Sequence, residues 1–590
     1  MGSRTLWRQE RANVSNDNES VSEENMDTMT AGGALLARLK TLGVDYIFAN
    51  SGTDFPPIIE GLAEARAKQI DLPEALVMPH ENAAMGMAHG YYFATGKAQA
   101  VMAHTNVGLA NCAIGAINAA TDHVPILLFS GRTPVVERDR LGARTVPIGW
   151  GQEMRDQAAL VREASKWDYE LRFPEQVAEM ADRAHAIATS APKGPVYMSL
   201  PREVLCEPCP TSELAPPPTM APAKVGVHQE AIAEAARLLA NAKRPLIVAQ
   251  RGTGSAEAFA AFSELVERWA IPVSQYWAVQ LALPTMHSMN AGPDLEPYIS
   301  EADVIIVLDC LAPWSPDVHK PQSDCKIIQI GQNPLYSRFP VRNFRSDLSI
   351  MAETADAVLA LAEAMKAFDA GATNAVAERR SVIEARTRKA QQGALAAAEA
   401  GNRSPMTKAY VSKCLSDAIQ GRAATVLSEL GCPMAQIDLK EHGSWFQEPH
   451  SGGLGWSFPC GLGIQLADRE RLVVATMGDG SYMFSNPVTC HQIAESLGLP
   501  MLILVLNNAE WGAVRHSVTG IYPDGYASKS NDMPLVGLAP SPDFTKVAQA
   551  SRAWTASVSE GKDLPKALQD AIAHIDEKRG LALVEIKIAG

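Results

Sequence analysis

Leu472-Val473-Val474-Ala475-Thr476-Met477-Gly478-Asp479-Gly480-Ser481 joins an apolar, β-branched run to a glycine turn that carries one carboxylate. Such a run reads as a strand buried on both faces of a parallel sheet. Gly478-Asp479-Gly480 is then the tight turn at its carboxyl end, where open α/β sheets bind ligands. A second apolar run, Met501-Leu502-Ile503-Leu504-Val505-Leu506, delivers Asn507-Asn508. Residues 481 to 506 suffice for a helix and a returning strand, so Asp479 and Asn508 meet at one sheet edge.

That edge has the chemistry of a metal-diphosphate site. A hard divalent cation such as Mg2+ takes oxygen ligands in near-octahedral geometry. Asp479, the Asn508 amide oxygen and the Glu510 carbonyl can supply some of them, and diphosphate oxygens the others. Gly478 and Gly480 let the backbone come close to a phosphate, and the amides of Gly480 and Ser481 open the next helix, where the dipole favours anions. A bare glycine turn recurs by chance. Its spacing to Asn508 is what gives it weight.

These residues together resemble the thiamine diphosphate-dependent enzyme family of acetolactate synthase, benzoylformate decarboxylase, oxalyl-CoA decarboxylase and 2-hydroxyacyl-CoA lyase, over about Met29 to Gly590. The resemblance implies a cofactor held between a pyrimidine-binding domain of one subunit and a diphosphate-binding domain of another, hence a homodimer or homotetramer. Pro79-His80-Glu81-Asn82-Ala83-Ala84-Met85-Gly86 is similar to the family's glutamate segment. Glu81 falls at its acid, which hydrogen-bonds the aminopyrimidine and helps remove the thiazolium proton. A Glu in the first turn of a helix is also favoured by the dipole alone.

Other segments match family positions less specifically. Ser428-Glu429-Leu430-Gly431-Cys432 resembles the first diphosphate loop, implicating Gly431 and Cys432. Ser451-Gly452-Gly453-Leu454-Gly455 resembles the loop that cradles the aminopyrimidine, implicating Gly453 and Leu454; either Leu454 or Trp456 could support the bent cofactor. Thr53, in Asn50-Ser51-Gly52-Thr53-Asp54, is the expected contact facing the thiazolium. His104 stands where acetolactate synthases carry a different loop; the His104-Thr105 pair is closer to benzoylformate decarboxylase, and an imidazole there could move a proton. Val514, Ser517 and Glu510 lie on the segment that walls the substrate pocket in relatives, with Glu510 a further acid/base candidate.

Composition fits a large enzyme. The chain has 590 residues, 47% of them hydrophobic, and a net charge of -14, which disfavours nonspecific nucleic-acid binding. No segment resembles a membrane span. Nine cysteines show no repeated spacing, and the lone Cys206-Glu207-Pro208-Cys209 cannot complete a zinc site, so free thiols in a reducing cytoplasm are expected.

Strand and helix patterns alternate in three blocks, predicting three doubly wound parallel-sheet α/β domains. The expected division is a disordered tail at 1–28, a pyrimidine-binding domain at 29–207, a linker at 208–222, a central Rossmann-like domain at 223–365, a helical linker at 366–405 and a diphosphate/Mg-binding domain at 406–590. In relatives the central domain binds FAD, the ADP part of coenzyme A, or nothing. Gln250-Arg251-Gly252-Thr253-Gly254-Ser255 reads as a phosphate loop or an ordinary glycine turn, and Arg338, Arg342 and Arg345 as an acyl-CoA phosphate clamp or a solvated basic patch.

The expected activity is a thiamine diphosphate- and Mg2+-dependent carbon-carbon lyase or carboligase, of the 2-hydroxyacyl-CoA lyase or acetolactate synthase kind. A benzoylformate-type 2-oxo acid decarboxylase is the alternative. Its partners would be 2-oxo acid, 2-hydroxyacyl-CoA or aldehyde substrates. A noncatalytic scaffold retaining the fold would be expected to lose Glu81, Asp479 or Asn508, and all three are present.

Overall fold

In the computed structural model, residues 28–590 are described, apart from 212–213, 215–216 and 372–373. All but the last residue of the expected N-terminal tail lie outside the described residues.

The apolar runs form three six-stranded sheets, each parallel throughout. In the first, the order across the sheet is Glu74–Val77, Tyr46–Ala49, Gln99–Ala103, Ile126–Arg132, Val196–Pro201, Asp168–Glu170. The third runs Trp445–Gln447, Ala424–Glu429, Leu472–Gly478, Leu502–Asn507, Ala582–Lys587, Trp554–Val558. Numbered within each domain, both have the order 2-1-3-4-6-5. The central sheet, which contains Pro245–Ala249 beside Val304–Leu308, has the order 3-2-1-4-5-6. Pro208–Pro210, expected to start a linker, instead pairs antiparallel with Thr28–Thr30. The helix Asn374–Glu399 follows the central domain, and Arg379 donates to the carbonyls of Ala270, Ala242 and Trp269 at the ends of two helices.

Alternation along Leu472–Gly478 explains how the domains join. Leu472 and Val474 face a core of the third domain joined by Phe259 and Leu281 of the central domain, whereas Val473, Ala475 and Met477 share one core with Met85, Ala88 and Cys112 of the first domain. The contact is made by two helices, Glu81–Thr95 and Ser457–Ala467. A Cβ on Gly90 would lie 1.9 Å from the carbonyl oxygen of Cys460. The backbones approach that closely only because glycine stands there, and this seats the start of the Glu81 helix beside the loop at 451–457.

Candidate active site

The carboxyl edge of the third sheet gathers the metal-site candidates. Asp479 is 2% exposed at the start of the helix Asp479–Phe484. Its Oδ1 accepts from the Gly480 amide at 3.0 Å, while Oδ2 and the Ser481 hydroxyl are buried without a partner. Burial pushes the Asp479 carboxyl above its ordinary pKa. An unsatisfied, desolvated carboxylate oxygen of this kind gains most from a cation. Asn508 accepts from the Glu510 amide through Oδ1 at 3.2 Å. Among the described residues no group of three or more His, Cys, Asp or Glu could hold a metal, so a cation at Asp479 needs oxygens from a ligand. Gly480 is sterically required, since a Cβ there would lie 2.2 Å from the Trp511 ring.

Glu510 does not stand free as an acid/base group. Its carboxylate takes a two-point ion pair from Arg515, at 2.6 and 2.7 Å, and Arg515 holds its pKa below the usual carboxylate range. Val514 and Ser517 are exposed on the same helix, Gly512–Ile521.

The loop Ser428–Cys432 is tied to the same edge. Buried Glu429 accepts the amides of Gly455, Trp456 and Ser457 at 2.6, 2.9 and 2.6 Å, fastening this loop to the one carrying Gly453 and Leu454. Cys432 donates its amide to Thr476 Oγ1 at 3.0 Å, and burial pushes its thiol up to about 11, so the side chain is inert. The Trp456 ring lies against His89 and Phe93 and is 3% exposed, whereas Leu454 is half-buried.

At the edge of the first sheet, Glu81 is 5% exposed at the first position of its helix. Its oxygens accept from the side-chain amides of Asn50 at 2.9 Å and Asn111 at 3.0 Å. His104 ends the strand Gln99–Ala103 and opens the helix Thr105–Thr121. Its Nδ1 lies 2.5 Å from Asp54 Oδ1, and its Nε2 lies 3.1 Å from the Gln152 side-chain amide. Asp54, through this bond, raises the imidazole above its ordinary pKa. The other Asp54 oxygen accepts from the Thr105 amide at 3.2 Å, and Thr105 has φ 42°. A β-branched residue in the left-handed region is strained, and such strain persists where surrounding bonds impose it. Thr53 is exposed, with its carbonyl held by Arg202 at 3.0 Å.

The structure therefore groups Thr53, Glu81 and His104 on one edge, and Gly431, Gly478, Asp479, Gly480, Ser481, Asn508 and Glu510 on another. Asp54, Asn50, Asn111, Gln152 and Glu429 were missed from sequence. Asp54 and Asn50 lie in the quoted loop, but only folding shows that they reach His104 and Glu81.

The central-domain arginines do not form a phosphate clamp. Arg338 donates to the carbonyls of Glu163 and Ala164. Arg342 donates to those of Leu311 and Cys310 and to Gln329 Oε1. Arg345 donates to those of Ser323, Gln322 and Cys325. Arg251, 4% exposed, reaches Tyr336 Oη at 2.6 Å and the Thr121 carbonyl at 2.9 Å. Asp122, Asp309 and Glu353 line the adjacent cavity of about 370 Å3. Among the described residues, Arg251 and Lys193 are the Arg and Lys side chains that line this crevice, and with Arg251 held by Tyr336 and Lys193 by Glu353 it offers no free cation to the phosphates of FAD, ADP or coenzyme A.

Sequence profiles for the thiamine pyrophosphate enzyme match in three places: the N-terminal TPP binding domain over residues 29–160, the central domain over 232–361 and the C-terminal TPP binding domain over 430–586. The chain belongs to the thiamine pyrophosphate enzyme family. It is 27% identical to a probable 2-ketoarginine decarboxylase of Pseudomonas aeruginosa, with 100% of each chain covered. It is 25% identical to the mitochondrial acetolactate synthase catalytic subunit of Saccharomyces cerevisiae, covering 96% of this chain and 82% of that one. The fold is shared with a 4-hydroxybenzoylformate decarboxylase of Rhodococcus jostii, at a TM-score of 0.75 and 21% identity over 95% of this chain and 99% of that one. Thiamine diphosphate-dependent catalysis by this chain follows from that membership. The unpartnered Asp479 Oδ2 and Ser481 Oγ fit a diphosphate bound through a cation. Among the described residues no helix is long and apolar enough to cross a membrane.

Proposed function

We propose that the protein is a thiamine diphosphate- and Mg2+-dependent decarboxylase of small 2-oxo acids. The observation that carries this reading is the Asp54–His104 pair. When bound, the cofactor would supply a nucleophilic thiazolium carbon and, in its cationic ring, a sink for the electrons of a breaking carbon-carbon bond. Decarboxylation then ends when a proton reaches the former carbonyl carbon. His104, whose hold on a proton Asp54 strengthens, is the group suited to deliver it.

Glu81 would hold the aminopyrimidine, oriented by Asn50 and Asn111. Asp479, Asn508 and the Glu510 carbonyl would hold Mg2+, and Leu454 would support the cofactor's bend, since the Trp456 ring is taken up in the core. We further propose a homodimer or homotetramer with the sites between subunits. The exposed apolar side chains Val107 and Ile117 on the Thr105–Thr121 helix, with Phe484 and Val488 on the two helices that follow Gly478, support it. The arginine contacts weaken the 2-hydroxyacyl-CoA lyase reading, because they remove the clamp that favoured it.

Product analysis tests the assignment. Enzyme reconstituted with thiamine diphosphate and Mg2+ should convert a 2-oxo acid, with 2-ketoarginine and aryl substrates in the panel, to the matching free aldehyde. Accumulation of a coupled 2-hydroxy ketone or acetohydroxy acid instead would assign carboligation.

A further inference from the structure

A half-buried lysine ammonium sits on the loop Ser428–Cys432, and none of the roles above employs it. Lys408 opens the helix Lys408–Ile419, and its Nζ donates to the carbonyl of Leu430, between Glu429 and Gly431. Leu430 pairs in an isolated antiparallel bridge with Met477. The ammonium therefore lies at the seam where this loop meets the turn Gly478-Asp479-Gly480. Cys432, Glu448 and Asp479 act on it electrostatically, and burial lowers its pKa. An ammonium carries three donors, and one carbonyl is little compensation for its lost hydration.

Glu448 provides an independent observation. It follows the strand Trp445–Gln447 and donates its amide to the Ser428 carbonyl at 3.0 Å, so it borders the same loop. Its Oε2 is buried without a partner. Burial, reinforced by Glu429, pushes its carboxyl up to about 8, so near neutral pH it largely keeps its proton. The loop itself has little else to offer an anion at this point. The Cys432 amide is bonded to Thr476, and Pro433 has no N–H.

A diphosphate brings more negative charge than one divalent cation beside the Asp479 carboxylate can balance. We propose that Lys408 and Glu448 bind the terminal phosphate of the cofactor. Lys408 Nζ exchanges the Leu430 carbonyl for a phosphate oxygen, and the Glu448 carboxyl donates its O–H to another. The proposal rests on the thiamine diphosphate reading of the site.

The test is a set of binding isotherms on cofactor-free protein at saturating Mg2+, followed by tryptophan fluorescence. For Lys408→Met the dissociation constant for thiamine diphosphate should rise about tenfold or more, as expected for loss of a charge-assisted bond. Lys408→Arg and Glu448→Gln, which keep donors, should stay within about threefold. Inorganic pyrophosphate should compete in the wild type and lose about as much affinity in Lys408→Met, while thiamine, lacking phosphate, should bind both alike. If Lys408→Met fails to fold, Lys408→Gln reads the same quantity. Wild-type affinity for thiamine diphosphate and pyrophosphate in the Lys408 variants overturns the proposal. A wild type that binds no thiamine diphosphate overturns the underlying reading instead, so the two failures are distinct.

Discussion

Asp54 Oδ1 lies 2.5 Å from His104 Nδ1, although the two residues are fifty positions apart and on different loops of the first sheet. This bond raises the imidazole's pKa, and its effect on turnover can be given a sign. A proton donor works in its protonated form, so activity falls as pH rises through its pKa. Asp54→Asn removes the charge that raises that pKa, and the alkaline limb of the kcat profile should move to lower pH. His104→Ala should lower kcat by about 10^2-fold or more. An unmoved alkaline limb in Asp54→Asn would remove His104 from the proton-delivery role.

Asp479 is the group whose unpartnered oxygen awaits a cation. Asp479→Ala should abolish the rise in Tm that thiamine diphosphate and Mg2+ give the wild type, worth about 2.7 kcal/mol at a hundredfold excess over Kd. Glu81→Gln should keep most of that rise and lose turnover. Equal thermal shifts in wild type and Asp479→Ala would place the metal elsewhere.

Two glycines are tested by adding a single methyl group. At Gly90 the new Cβ meets the Cys460 backbone, and at Gly480 it meets the Trp511 ring. Gly90→Ala should destabilise the fold by about 1–3 kcal/mol in denaturant melts, because neither helix can yield without disturbing the shared core. Gly480→Ala should weaken cofactor binding with a smaller loss of stability, since Trp511 is only partly buried.

Asp122 couples stability to pH. Its carboxyl is buried, both oxygens lack hydrogen bonds, and burial pushes it up to about 7 although Arg251 lies 3.6 Å away. Burial outweighs Arg251, whose two terminal nitrogens donate to Tyr336 Oη and the Thr121 carbonyl. The folded state therefore holds a proton that the unfolded state releases near pH 4, and stability falls as pH rises from about 4 to 7. In Asp122→Asn this decline should vanish, so its Tm relative to wild type should climb across that window. A constant difference would contradict the buried, proton-holding carboxyl.

Much of this was legible in the sequence, and the rest was hidden for identifiable reasons. The strand Leu472–Gly478 announces itself because a strand covered on both faces must be apolar along its whole length. Pro245–Ala249 and Val304–Leu308 do so for the same reason. The common strand order of the first and third sheets is invisible, since topology leaves no mark on local pattern. Arg338, Arg342 and Arg345 stayed ambiguous because charge spacing does not reveal partners, and here the partners are mostly backbone carbonyls of their own and the neighbouring domain. Glu510 was legible as an acid/base candidate, but not its pairing with Arg515, which only folding brings about.

Release of CO2 is the most direct measurement of the central claim. Cofactor-free enzyme, given 2-oxo acids and 2-hydroxyacyl-CoA esters in parallel, should release CO2 from at least one 2-oxo acid only when thiamine diphosphate and Mg2+ are both added. The CoA esters should remain intact. Cleavage of a CoA ester with no CO2 from any 2-oxo acid would contradict the decarboxylase assignment.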